Sequence, residues 1–234
     1  MNYKEDLNIQ FSSVLNKYNC KVKNCYNNEI NKIFSSLYAM NYISNRVEVR
    51  HLFDSEYYNL SFSCVIESFS LILDNYPRGS ALVLRSAIEN FSKFIIQKSQ
   101  NNKWTINDRL YNPNKKTIDN IIKCEYDKSV KEISISLNST MENLYGKLSG
   151  ISHSLVSESQ TNRLNYFSDI NAIKPEIIKS AIERIDKSIA AIFTYCLIIC
   201  KPSLEKWDSY ELTLIFELAF GKKKTKSYLS MLKG

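Results

Sequence analysis

An all-α fold is predicted for this chain, and three observations predict it. Only nine of the 234 residues are glycine or proline. That is too few for sandwiches and barrels, which need turn residues about every 8 to 12 positions, or for glycine-rich nucleotide loops. Apolar residues recur at steps of three and four along most of the chain, the period of a helix with one buried face. A hydrophobic share of 44% beside 24% charged residues is that of a globular protein with a sizeable core.

The elements follow in order. Two helices are expected in the first fifty residues, over 6–18 and 29–43; in the second, Ile30, Ile33, Phe34, Leu37 and Met40 keep the helical period. Ser55 is a good N-cap for a third helix reaching Leu73, because its hydroxyl can accept from an orphan N–H of the first turn. Asp74, Asn75, Tyr76, Pro77, Arg78 and Gly79 end that helix and turn the chain into a fourth, 80–98. There Leu84, Ile88, Phe91 and Ile95 form an apolar stripe, while Arg85, Glu89 and Lys93, each four apart, stack on one flank. Residues 101–116 read as a loop and 117–137 as a helix. Asn138-Ser139 signals a turn before a helical segment from Met141 to Ile151 that ends at His153, with Gly146 and Gly150 inside it. Residues 157–172 read as a loop or a small hairpin around Arg163. Pro175 opens a long helix to Cys200, and Pro202 stops it. A last amphipathic helix, 204–220, ends at Gly221 and is followed by a short basic tail with Lys222, Lys223, Lys224 and Lys226.

The 31 basic and 24 acidic residues give a net charge of +7. This is a mild bias towards polyanions or acidic partners, short of the dense basic patch of a dedicated nucleic-acid binder. The tail alone is concentrated enough to track a phosphate backbone. The longest apolar run, residues 189–200, falls short of the roughly 20 residues that span a bilayer, so no membrane role is expected. The first ten residues are too polar for a signal peptide. The six cysteines form no CxxC pair and have no neighbouring histidine to complete a zinc set. Core thiols in a reducing cytoplasm, with no metal and no cofactor, are the expectation.

With only two histidines, His51 and His153, any acid/base chemistry near neutral pH has to be economical with imidazole. The constellation singled out is Arg85, Glu89 and Lys93 on the fourth helix together with His153 at the end of a later one. A carboxylate four residues from a lysine can orient an imidazole arriving from a neighbouring helix. RNA carries its own nucleophile, the 2′-hydroxyl, so a metal-free ribonuclease needs only a base, an acid and positive charge at the phosphate. Lys147 and Arg163 are further candidate cations for RNA. The plainer reading of the same residues is an i,i+4 ion pair and a histidine over helix-end carbonyls.

The stretch Ala81-Leu-Val-Leu-Arg-Ser-Ala-Ile-Glu-Asn-Phe-Ser-Lys93, followed by Leu144-Tyr-Gly-Lys-Leu-Ser-Gly-Ile-Ser-His-Ser154, resembles the HEPN superfamily of helical bacterial proteins. That superfamily includes metal-independent ribonucleases that serve as toxins and in phage defence, and inactive members that serve as interaction modules. Glu89 and Lys93 match its Glu-x3-Lys motif. In its Arg-x4–6-His motif His153 matches, but Lys147 stands where the arginine belongs, a point charge in place of a bidentate fork. A strict spacing, Arg46 to His51, lies ahead of the Glu89 helix instead of after it, which leaves His51 as the lesser alternative for the imidazole.

The resemblance implies a HEPN-like core over 51–202, a helical N-terminal extension over 1–50, and a C-terminal helix with a basic tail over 203–234. It implies catalysis by His153, Glu89 and Lys93, RNA contacts from Arg85, Lys147 and Arg163, and a toxin or abortive-infection role in the cytoplasm. A homodimer is expected on two grounds: family ribonucleases pair their histidines across a twofold axis, and one imidazole cannot easily be base and acid at once. The alternative is a silent HEPN-like subunit bound to a protein partner or antitoxin. A third expectation is a nucleic-acid-binding regulator acting through the tail.

Overall fold

The computed structural model of the protein describes residues 2–18, 21–99, 103–156 and 174–233. Among these every regular element is a helix: α1 (Tyr3–Leu15), α2 (Lys21–Ser44), α3 (Arg50–Phe53), α4 (Glu56–Leu73), α5 (Pro77–Gln97), α6 (Tyr111–Glu125), α7 (Lys128–Ser152), α8 (Pro175–Ile199), α9 (Lys201–Leu204) and α10 (Ser209–Lys233). The all-α expectation holds. None of these helices is long and apolar enough to cross a membrane.

The centre of the bundle is α5, which lies against α4, α6, α7 and α8. Its stripe repeats as the sequence spacing requires, and Ile88, Phe91 and Phe94 have no exposed surface. Each such side chain contributes about 1.5–3 kcal/mol of transfer free energy. The second hub is α8, apolar on nearly every face from Ile189 to Ile198 and packed on α2, α4, α5 and α7. A helix that is apolar all round can only be interior. On the far side of α8, α2 packs against α10, and one contiguous core runs from Phe11 to Leu232.

Ser55 is the cap that the sequence announces: its Oγ accepts from Tyr58 N. The next helix begins earlier than the expected residue 80, because Pro77 can open α5 at a position where no N–H is needed, and Arg78 and Gly79 are helical. At the end of α4, Asn75 is left-handed (φ 68°), with Tyr76 N–H donating to Leu71 O and Asn75 N–H to Ile72 O. This is the Schellman closure, and asparagine tolerates it better than most residues.

Three further segments differ from expectation. The helix expected over 117–137 is already under way at Tyr111 and breaks at residues 126–127, and α7 then runs unbroken through Asn138-Ser139. Asn138 makes no turn because its amide is used across the helix pair: Nδ2 donates to Asp119 Oδ1 of α6 at 2.7 Å. Pro202 does not simply end a helix but sits in the first turn of α9. The basic segment after Gly221 is no tail. Gly221 adopts φ 74°, ψ 159°, a conformation open essentially to glycine alone, and the chain beyond it is again helical. Thr225, Met231 and Leu232 are buried there, and the Tyr228 ring stacks on Phe220 with centroids 4.1 Å apart. Lys222, Lys223, Lys224 and Lys226 therefore stand exposed on a packed helix.

Candidate active site at the α5–α7 seam

The flank of α5 read from the sequence meets α7. Arg85 Nη2 donates to Glu89 Oε1 at 3.0 Å and to the Tyr145 hydroxyl at 3.1 Å, and that hydroxyl donates to Glu89 Oε1 at 2.8 Å. The guanidinium also lies 5.2 Å from the centroid of the Tyr145 ring. On the other face of this small network, Tyr111 of α6 stacks on Tyr145 with ring centroids 3.9 Å apart and planes within 15°. Burial pushes the Tyr145 hydroxyl up, and its bond to Glu89 pushes further, so it remains a donor at neutral pH. Burial opposes the charge of Arg85, but the bond to Tyr145 and the attraction of Glu89 outweigh it and raise its pKa. The three residues thus form a half-buried clasp between the two helices, with Glu89 as the acceptor both others use.

Lys93, one turn further, leaves this clasp. Its ammonium donates to Asp108 O at 3.1 Å, lies 3.6 Å from Asp108 Oδ1 and sits 5.5 Å from the centroid of the Tyr57 ring. It ties the segment before α6 to the α4–α5 pair. Of the expected constellation, then, Arg85 and Glu89 are brought together and Lys93 is directed elsewhere.

His153 lies at the far end of the seam. From Tyr145 to His153 the chain advances eight residues, about 12 Å of helix rise. The helices run antiparallel, since Arg78 Nη2, at the start of α5, donates to Ser154 Oγ at 2.8 Å. His153 is the C-cap of α7: its N–H donates to Ser149 O, Ser154 follows with φ 57°, Ser154 N–H donates to Ile151 O and Leu155 N–H to Gly150 O. A left-handed serine at this position costs about 1–2 kcal/mol relative to glycine. Its outcome is an imidazole held exposed at a helix end, where cations are favoured by the carbonyl ends of the helix. Lys147 is exposed on α7 between the two ends of the seam. Arg163 lies outside the described residues.

Sequence reasoning missed Tyr145 as the partner of Glu89, and it missed Arg78. The signal for Arg78 was present: Arg78, Leu82, Arg85 and Glu89 recur at steps of four, three and four, so Arg78 lies on the same flank two turns before Arg85. No comparable signal marked Tyr145, because which α7 residue faces Glu89 depends on how the two helices cross.

The strict Arg46-to-His51 spacing makes no joint site. The Arg46 guanidinium is sandwiched 5.7 Å from the Tyr42 ring and 5.2 Å from the Trp207 ring, with Nη2 3.3 Å from Glu48 Oε1. His51 is exposed on α3 and faces a separate cleft between α2 and α4. Beside Arg46, Tyr42 and Tyr3 both donate to Glu211 Oε1, at 2.7 and 2.9 Å, and chiefly these bonds hold the Glu211 carboxyl below its ordinary range. This cluster fastens α1 and α2 to α10. Compared with known protein families, with curated proteins and with solved structures, the chain finds no match.

Proposed function

We propose that the protein is a metal-independent endoribonuclease of the HEPN type, acting as a toxin or abortive phage-defence effector, with His153 as its acid/base group. One observation carries the reading: Arg78 donates to Ser154 Oγ at 2.8 Å, which sets a guanidinium beside the residue that follows an exposed histidine. The arginine that the Arg-x4–6-His motif lacks on α7 is thereby supplied from the first turn of α5. The imidazole takes the 2′-hydroxyl proton, and the guanidinium and Lys147 stabilise the charge that develops on the phosphate. Arg85 and Glu89 serve as positioning residues, fixing α7 through Tyr145, and Lys93 serves by holding the approach to α6. A second copy of the chain supplies the second imidazole, which in its protonated form gives its proton to the 5′-oxygen as the P–O5′ bond breaks and a 2′,3′-cyclic phosphate is left. Thiols such as the buried Cys196 and Cys200 fit a reducing cytoplasm.

Purified protein incubated with total RNA in EDTA should cleave it, and His153→Ala and Arg78→Ala should each abolish most of the activity. Cleavage that survives His153→Ala overturns the assignment, and a chain that sediments as a monomer at every working concentration overturns the shared site.

A second reading is favoured by a different observation. Both donors nearest Glu89 are Arg85 and Tyr145, so its carboxylate is engaged in holding helices together rather than in orienting His153. A silent helical subunit bound to a protein partner or antitoxin fits that arrangement. It would leave RNA intact and elute with its partner.

A further inference from the structure

The cleft that His51 faces lies at the opposite end of α5 from His153. Ser55, at the start of α4, donates to Gln97 Oε1 in the last turn of α5, whereas Arg78 meets Ser154 at the first turn. The 21 residues of α5 put about 30 Å of helix between these ends. The cleft has a volume of about 690 Å³, within the usual range for small-molecule sites.

Its walls divide by chemistry. The floor is aromatic: Phe53 and Tyr58 are buried, with ring centroids 4.8 Å apart, and Phe62 stacks on Tyr58 at 6.0 Å with planes within 6°. The rim carries the amides of Asn41, Asn45 and Asn59, all exposed. Asn45 Nδ2 donates to Asn41 O and Asn41 Oδ1 at 2.9 and 3.0 Å, which leaves the Asn45 Oδ1 acceptor and the Asn41 Nδ2 donor side by side. Next to them stand Arg50 and His51, exposed, and neither side chain makes a hydrogen bond or ion pair among the described residues. Asp54 completes the rim as an acceptor.

Phe62, which is only half-buried over Tyr58, can take a planar ring, since every base has a π-face to offer an aromatic side chain. Adjacent amide donors and acceptors match the edge of a heterocycle that presents both. A free guanidinium beside an imidazole matches a phosphate, and a carboxylate on the same rim matches sugar hydroxyls. We propose that this cleft binds a nucleoside monophosphate, with the base over Phe62, its edge on the asparagine amides and the phosphate on Arg50 and His51. The site is separate from His153, so it does not depend on the ribonuclease reading.

The test is titration of the full chain with the four nucleoside 5′-monophosphates, the parent nucleosides and inorganic phosphate, followed by calorimetry. At least one monophosphate should bind one to one, with its nucleoside and phosphate alone both weaker. Arg50→Glu should weaken binding by about tenfold or more. Phe62→Ala should do the same, and because Phe62 also packs on Tyr58, Asn59→Ala at an exposed position serves as the second rim variant, with melting curves to show that each is folded. His153→Ala should bind like the unaltered chain, whatever becomes of RNA cleavage. No saturable binding up to about 5 mM overturns the proposal. So does binding indifferent to Arg50→Glu, phosphate binding as tightly as the nucleotide, or an RNA oligomer occupying the cleft where no monophosphate does.

Discussion

The two ends of the α5–α7 seam carry the same kinds of side chain and treat them in opposite ways. At the Glu89 end a carboxylate, a guanidinium and a phenol satisfy one another within 2.8 to 3.1 Å and are half-buried beneath a stacked Tyr111. At the His153 end an imidazole stands exposed just before a left-handed residue, and the guanidinium of Arg78 makes one hydrogen bond among the described residues, to a serine hydroxyl. The difference lies in what faces each residue. Mid-helix, the facing helix supplies a partner within reach and polar groups are consumed by the fold; at a helix end the chain turns away and they are left open. Charge at helical spacing thus marks a clasp, and on the proposed reading the acid/base group stands where the clasp runs out.

His153→Ala separates the two ends most sharply. RNA cleavage should fall by about 10²- to 10⁴-fold, the usual worth of a positioned acid/base group. Stability should stay within about 0.5 kcal/mol, as for exposed positions generally. If the substitution unfolds the protein instead, His153 belongs to the clasp and the distinction fails.

Glu89→Ala should show the opposite pattern. It leaves Arg85 and Tyr145 without their common acceptor, and the loss expected for hydrogen bonds to a charged group is about 2 kcal/mol in urea denaturation. Glu89→Gln, which keeps an acceptor oxygen, should lose about half as much. Unchanged stability with abolished cleavage would move Glu89 to the reactive end and restore the role that the Glu-x3-Lys resemblance assigns it.

How much of this was legible beforehand follows from the same contrast. The apolar stripe of α5 is set by local period and burial, so Leu84, Ile88 and Phe91 could be read directly, and so could the flank of Arg85 and Glu89. Asn138-Ser139 was misread because asparagine favours turns locally while its amide here is used by Asp119, a tertiary partner that no local pattern reveals. The break at residues 126–127 carries no glycine or proline to announce it. Gly221 was correctly seen as punctuation, but the helix beyond it depends on Tyr228, Met231 and Leu232 finding the core, which is a matter of packing. Tyr145 was invisible for the reason that Asn138 was: its importance lies entirely on the neighbouring helix.

Tyr145→Phe probes the clasp more gently. The ring and its stack with Tyr111 remain, one hydroxyl is lost, and the expected cost is about 1 kcal/mol. The pH dependence has a defined sign. Because the folded state raises the Tyr145 pKa, its contribution is fully present below the ordinary tyrosine value of about 10 and is lost as pH rises from there through the higher folded value. Urea titrations between neutral and alkaline pH should show this decline in the unaltered chain and a shallower one in the phenylalanine variant; equal slopes would place the loss at other tyrosines.

Ser154→Gly should change stability little and bears most directly on the open end. Glycine relieves the left-handed strain, a gain of about 1 kcal/mol, and forfeits an exposed hydrogen bond worth about 0.5 kcal/mol, so the fold should be slightly firmer. On the proposed reading cleavage should fall several-fold all the same, because Arg78 loses the Ser154 hydroxyl that anchors it at the end of α7. Ser154→Ala loses the same hydroxyl without relieving the turn, so it should match the glycine variant in activity and fall below it in stability. A glycine variant that is firmer and fully active would mean that Arg78 needs no anchor, and the cation at the phosphate would then have to be Lys147.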